Sequence, residues 1–312
     1  MGHGTLQDLV DRDAAVASPV APAILYGATI FSGAFLLFLI EPMIAKKILP
    51  WFGGTAAVWT TCLLFFQMAL LAGYVYADAA VRRLTPKAQA LLHLAVLAAT
   101  LLALPVTPSG IWKPSGADDP LVRILALLAG TVGLPYLLLS TTSPLIQAWY
   151  ARNSARAMPY RLYALSNLGS LLALIAYPVC VEPFAGTDRQ LAVWSAAYVV
   201  FALLSGACAL ANAFGKQRAT AEIAPAPIAE PATAPRPMDR LLWIGLAACG
   251  SIFLLAVTNH LTQNIASIPF LWILPLVLYL ATFILCFDRP GFYRPQWWRV
   301  PLAAALLAMG WG

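Results

Sequence analysis

The chain has 312 residues, 61% of them hydrophobic and only 10% charged, with a mean hydropathy of +0.78. Soluble domains carry about a quarter charged residues. One globule cannot hide this much apolar surface, so the composition excludes a water-soluble fold and implies lipid surroundings. The net charge of +6 would point to nucleic acid in a soluble protein. Here Lys and Arg sit in short clusters between apolar runs, where they act as orientation signals, and no nucleic-acid partner is expected.

Residues 1–21 contain Asp8, Asp11 and Asp13, lack the basic region of a secretory signal, and read as a disordered cytoplasmic tail. Crossing a bilayer takes roughly 20 apolar residues. Runs of that kind fall at 22–42, 56–79, 88–106, 121–148, 163–182, 191–213, 241–259 and 266–287, and a ninth begins near Arg299 and is cut off at Gly312. The fold class is therefore an all-α, polytopic transmembrane helix bundle. With the N-terminus inside, only Lys46, Lys47, Lys113, Arg123 and Arg189 of the 19 basic residues fall outside. That bias places the N-terminus in the cytoplasm of a multi-pass protein of the cell (inner) membrane.

The segment 214–240, with alternating Ala and Pro, cannot form a packed element and reads as a semi-rigid cytoplasmic linker. Six spans (22–213), a cytoplasmic linker and an incomplete second set (241–312) is a major-facilitator-like layout, and the chain is expected to be a piece of a longer protein. Trp149 and Tyr150, and Tyr293, Trp297 and Trp298, lie beside basic loops as interfacial anchors would, and Trp51 and Trp59 flank the first outside loop.

Charge within the apolar text marks the candidate sites. Glu41 follows a full crossing, and Pro42 after it has no N–H to continue the helix ladder. Glu41, Lys46 and Lys47 are thus expected at the outer interface. A second Glu-Pro pair, Glu182-Pro183, ends the fifth span on the same side. Helix-end structure explains both; the other reading is a pair of carboxylates offered to a small cationic ligand. In "LPYLLLSTTSPLIQAW", Pro135 and Pro144 enclose Ser140, Thr141, Thr142 and Ser143. The hydroxyls either restore hydrogen bonding near the prolines or line the broken helix of a transporter. The run "TNHLTQNIASIP", 258 to 269, reads as an outside loop; buried, it would give a neutral site from Asn259, His260, Gln263 and Asn264, with i, i+4 pairing. Asp78 before Arg82 and Arg83 is a weak match to the major-facilitator loop after span two. His93 is expected to hydrogen-bond within the bundle, and Ser166 and Ser170 form a small-xxx-small pair suited to helix packing. The five cysteines read as packing residues. No catalytic, metal or cofactor constellation is apparent, and no cofactor is expected.

Four strings, "LFLIEPMIAKKILPWFGGTAAVWTTCLLFFQ", "LPYLLLSTTSPLIQAWY", "PYRLYALSNLGSLLALIAYPVCVEP" and "TNHLTQNIASIPFLWILPLVLYLATFILCF", resemble the membrane portion of the bacterial spermidine synthase-like membrane proteins, the fused major-facilitator/spermidine synthase family. The resemblance runs from about Tyr26 to Phe287, without the linker. It implies a soluble synthase-like domain as partner, whose aminopropyl transfer would need a strand, a Gly-rich turn and acidic residues. The sequence supplies no such strand and Gly-rich turn with acids to follow, so no catalytic residue carries over. The expectation is a non-catalytic, multi-pass domain associated with polyamine synthesis or handling. The alternative is a transporter of a polyamine or other small cationic metabolite; an intramembrane enzyme is least supported.

Overall fold

The computed structural model describes residues 20–114, 119–153, 159–215, 236–264, 269–287 and 294–311. The tail expected over 1–21 lies outside them up to residue 19, as does the linker over 216–235. Every regular element among the described residues is helical. In chain order these are α1 (Val20–Ile48), α2 (Ala56–Arg83), α3 (Pro86–Leu102), α4 (Pro120–Asn153), α5 (Pro159–Ala176, continued by a π turn Tyr177–Val181), α6 (Thr187–Phe214), α7 (Pro237–Asn264), α8 (Pro269–Phe287) and α9 (Pro295–Trp311). Six of them, α1, α2, α4, α5, α6 and α7, are long and apolar enough to cross a membrane, whereas α3 and the stretch Ile273–Thr282 of α8 are apolar but shorter. This is a multi-span helical architecture of the membrane type.

The bundle is organised around α1, which packs against α4, α5 and α6. Leu36, Leu37, Leu39, Ile40, Met43, Ile44 and Ala45 are all buried, so apolar contacts surround the helix rather than one stripe of it. A helix that is hydrophobic all round belongs inside. Of α1's apolar stretch 56% is buried, against 6% for α7, which fixes α1 as the core and α7 as periphery. Around α1 run the pairs α2 with α4 and α3 with α6, while α8 joins α5 to α7.

Three sequence expectations fail locally. Pro42 does not end α1, which continues through it to Ile48. Pro lacks a donor but can sit inside a helix whose surroundings hold it, and here Met43, Ile44, Ala45 and Ile48 are all enclosed. The run from Thr258 is not a loop up to Asn264: those residues complete α7, and 265–268 lie outside the described residues. Its polar side chains hid a helical continuation that apolar periodicity would have shown. Trp149 is likewise no interfacial anchor, being fully buried and donating from Nε1 to Gln89 Oε1 at 2.9 Å. Trp297 and Trp298 are exposed, and Trp51 lies under Lys113 at 5.5 Å.

Glycines set the closest helix approaches. A Cβ built on Gly169 of α5 would lie 2.8 Å from the Phe31 carbonyl oxygen of α1, and one on Gly73 of α2 would lie 1.7 Å from Ser140 Oγ of α4. Such small residues let backbones meet in lipid. Gly169→Ala, which must displace the α1 backbone, is expected to cost about 1–3 kcal/mol. Gly245→Ala, where a Cβ meets nothing within 4 Å, is expected to leave stability unchanged or raise it by up to about 1 kcal/mol. Thermal unfolding of the two variants in detergent checks the contrast.

Candidate functional site

Glu41 does not lie at an exposed helix end. It sits in the body of α1, about 10 Å short of Ile48 at about 1.5 Å per residue, and is 4% exposed. Because this part of α1 is buried, from Leu39 through Ala45, its one carboxylate faces protein. Tyr136 of α4 donates its phenolic O–H to Glu41 Oε1 at 2.7 Å. The Tyr136 ring meets Phe66 of α2, centroid to centroid 4.8 Å, and Cys62 and Trp59 of α2 are buried in the same cluster. Glu41 forms no ion pair among the described residues.

The register that brings Tyr136 to Glu41 has a local cause. α4 carries a π turn, Ala129–Gly133, just before Tyr136. One extra residue in a turn rotates everything after it by roughly 100° relative to a regular helix. Pro135 follows the π turn and would tolerate no regular donor role there. Further along α4, Ser140 Oγ donates to Leu137 O at 2.6 Å and Thr141 Oγ1 to Leu138 O at 2.7 Å. Thr142 Oγ1 also donates to Leu138 O, at 3.3 Å. Ser140 Oγ also reaches Ala69 O of α2 at 3.4 Å, and Ser143 Oγ accepts from Gln147 Nε2 at 2.8 Å, so these hydroxyls are engaged within the bundle and not presented to a ligand. They do not reach the Ser140 carbonyl, which is the one Pro144 frees.

Glu182 sits apart from Glu41 in its chemistry. The α5 π turn closes with Glu182 N–H donating to Tyr177 O at 2.8 Å, and the Glu182 carboxylate is ion-paired with Lys46. Lys47 pairs with Asp188 at 2.6 Å. The end of α1 is thus strapped to the α5–α6 connection by two ion pairs, and Glu182 already holds a cation. Asp78 lies within α2, paired to Arg82 at 2.6 Å one helical turn on.

The amide run closes α7. His260 Nδ1 and Asn264 Nδ2 are 2.9 Å apart, the i, i+4 pairing the sequence implies, with His260, Gln263 and Asn264 exposed and Asn259 half-buried. Glu41, Glu182 and this quartet form three separate places, not one site. His93 Nε2 meets Ser205 Oγ of α6 at 2.8 Å, inside the bundle. No group of three metal-ligating side chains occurs among the described residues. Cys62 and Cys208 are buried; Cys180 and Cys249 are exposed free thiols.

The sequence missed Tyr136. It stands 95 residues from Glu41, and no local spacing announces the pair. The chain matches no protein-family signature, no curated protein and no solved structure.

Tyr136→Phe leaves a buried carboxylate without its donor and is expected to cost about 1–3 kcal/mol. Glu41→Gln keeps an acceptor and should cost less. A double-mutant cycle by unfolding in detergent checks the pair, and additive losses would show no coupling. Replacing both Lys46 and Glu182 with Met is expected to change stability by less than about 1 kcal/mol, because both side chains are partly exposed.

Proposed function

We propose that this chain is the membrane part of a spermidine synthase-like membrane protein and that it handles a small cationic solute, with Glu41 as the recognising carboxylate. The observation that carries this reading is a buried carboxylate whose hydrogen-bond partner is a neutral phenol. An ionisable group within a membrane helix is costly and typically marks a solute or ion pathway. The second support is the four-string resemblance, which implies polyamine chemistry.

The wall around Glu41 suits one ammonium at a time. Ionised, a single carboxylate supplies one negative charge, which matches one ammonium. A polyamine would be held by one end. Glu182, occupied by Lys46, is a strap rather than a binding group, and the amides of α7 are too exposed to form a neutral pocket. The finer layout belongs to the same proposal: six spans, a cytoplasmic linker and the beginning of a second set, with the N-terminus in the cytoplasm of a bacterial inner membrane. In this conformation Glu41 is enclosed, so solute entry requires helices to part, as in alternating access.

Uptake of labelled spermidine into proteoliposomes checks the reading. Wild-type protein is expected to give flux, Glu41→Gln to abolish it, and Glu182→Gln to change it by less than about threefold, the scale of a partly exposed ion pair. Flux that survives Glu41→Gln would remove the carboxylate from the mechanism. A wild type without flux would leave a purely structural membrane domain.

A further inference from the structure

A groove of about 510 Å³ runs between α1 and α6, away from Glu41. Phe31, Phe35 and Leu39 line it from α1, and Val193, Ala197 and Val200 from α6, successive helical turns of two neighbouring helices. Its floor is closed by Trp194 and Phe201, which are 1% and 0% exposed, while Val193 and Val200 are 61% and 59% exposed, so the groove opens sideways. From Arg189 to Phe201 α6 rises about 18 Å at about 1.5 Å per residue. One leaflet of a bilayer's hydrocarbon core is about 15 Å deep, half of roughly 30 Å. The groove is as long as an acyl chain's own compartment, and an apolar cavity of this kind favours an apolar guest over water.

Its charged and unsatisfied groups are confined to one end, since Ser32 beside Phe31 is satisfied by donating to Ala28 O at 2.7 Å. Arg189, in the first turn of α6, lines the groove there, and its guanidinium has neither an ion pair nor a hydrogen bond among the described residues. Beside it Gln190, 4% exposed, lines the same groove. Gln190 Nε2 donates to Ala185 O at 2.7 Å, but its Oε1 is buried with no hydrogen-bond partner. A buried acceptor without a donor is expensive. The groove end therefore asks for two things: an anion for the guanidinium and an N–H or O–H donor for the amide oxygen.

We infer that this groove holds one glycerophospholipid, its acyl chain between α1 and α6, its phosphate at Arg189 and a donor-bearing headgroup at Gln190. Arg pairs with phosphate through a rigid, bidentate fork. Ethanolamine and glycerol headgroups carry donors, whereas choline carries none, so the site discriminates by headgroup. A further helix seated here would have to bring its own anion and donor to this one end, which a phospholipid carries together in its headgroup. The inference is independent of the role of Glu41, which does not line the groove.

Native mass spectrometry of the full chain, released from detergent and titrated with lipids of matched acyl chains, tests it. Phosphatidylethanolamine and phosphatidylglycerol are expected to bind about fivefold tighter than phosphatidylcholine, the scale of one net hydrogen bond. Arg189→Gln, at an exposed position that leaves the packing intact, is expected to weaken all three by about tenfold, the scale of a charge-assisted pair. Gln190→Leu should erase the preference while phosphatidylcholine binding persists. Equal binding of the three lipids by the wild type, or unchanged binding by Arg189→Gln, overturns the assignment. So does a chain that pairs with a second copy through this face and carries no lipid.

Discussion

The structure depends on the enclosure of α1. A helix surrounded by protein and lipid has no water to satisfy its polar groups, so each must find a partner on a neighbouring helix or on its own backbone. Thr29 bonds to Leu25 O and touches Cys208, Ser32 bonds to Ala28 O, and Leu36 O accepts from Trp194 Nε1 at 2.9 Å. Glu41 obeys the same rule through Tyr136. The difference is that a hydroxyl satisfied by a carbonyl is finished, whereas a carboxyl group satisfied by one phenol keeps lone pairs to offer. That residual capacity sets Glu41 apart from the other polar groups of α1.

The remaining helices follow from what α1 demands. α4 brings Tyr136 by spending an extra residue in a π turn, and α5 uses a second π turn to deliver Glu182 to Lys46. Elsewhere the interior is knitted by pairs distant in sequence: His93 with Ser205, Tyr198 with Thr100 at 2.9 Å, and Gln89 accepting from both Trp149 and Arg152. None of these is exposed enough to serve a solute, and each ties α3 to α4 or α6. The bundle thus has a polar skeleton that holds helices together, and Glu41 with Tyr136 is its one buried tie made through a carboxyl group among the described residues.

The helical class and the positions of the apolar stretches were legible in the sequence, because hydropathy reports directly on the surroundings of each residue. Boundaries were less so. Pro42 reads as a stop because its missing donor is a local fact, while the packing that carries α1 past it is not. Thr258–Asn264 reads as a loop because amides mimic a solvated turn, yet they close a helix. Trp149 stands beside arginines in the sequence, but burial turns it inward to Gln89. The candidate site was half legible: Glu41 stands out as a charge in apolar text, and Tyr136 is one of many aromatic residues until the fold selects it. The ion pairs of Lys46 and Lys47 were equally hidden, since the acids they meet lie 136 and 141 residues away.

The close approach at Gly169 restricts how such a bundle can work. With Gly169 against the Phe31 backbone, Gly33 wedged beside Thr142 and Phe201, and the far end strapped to Glu182 and Asp188, α1 cannot slide along α5 without collision. The α2–α4 seam is closed in the same way, since Ser140 Oγ fills the space beside Gly73, so a solute path of the kind proposed above would have to open away from both glycine seams.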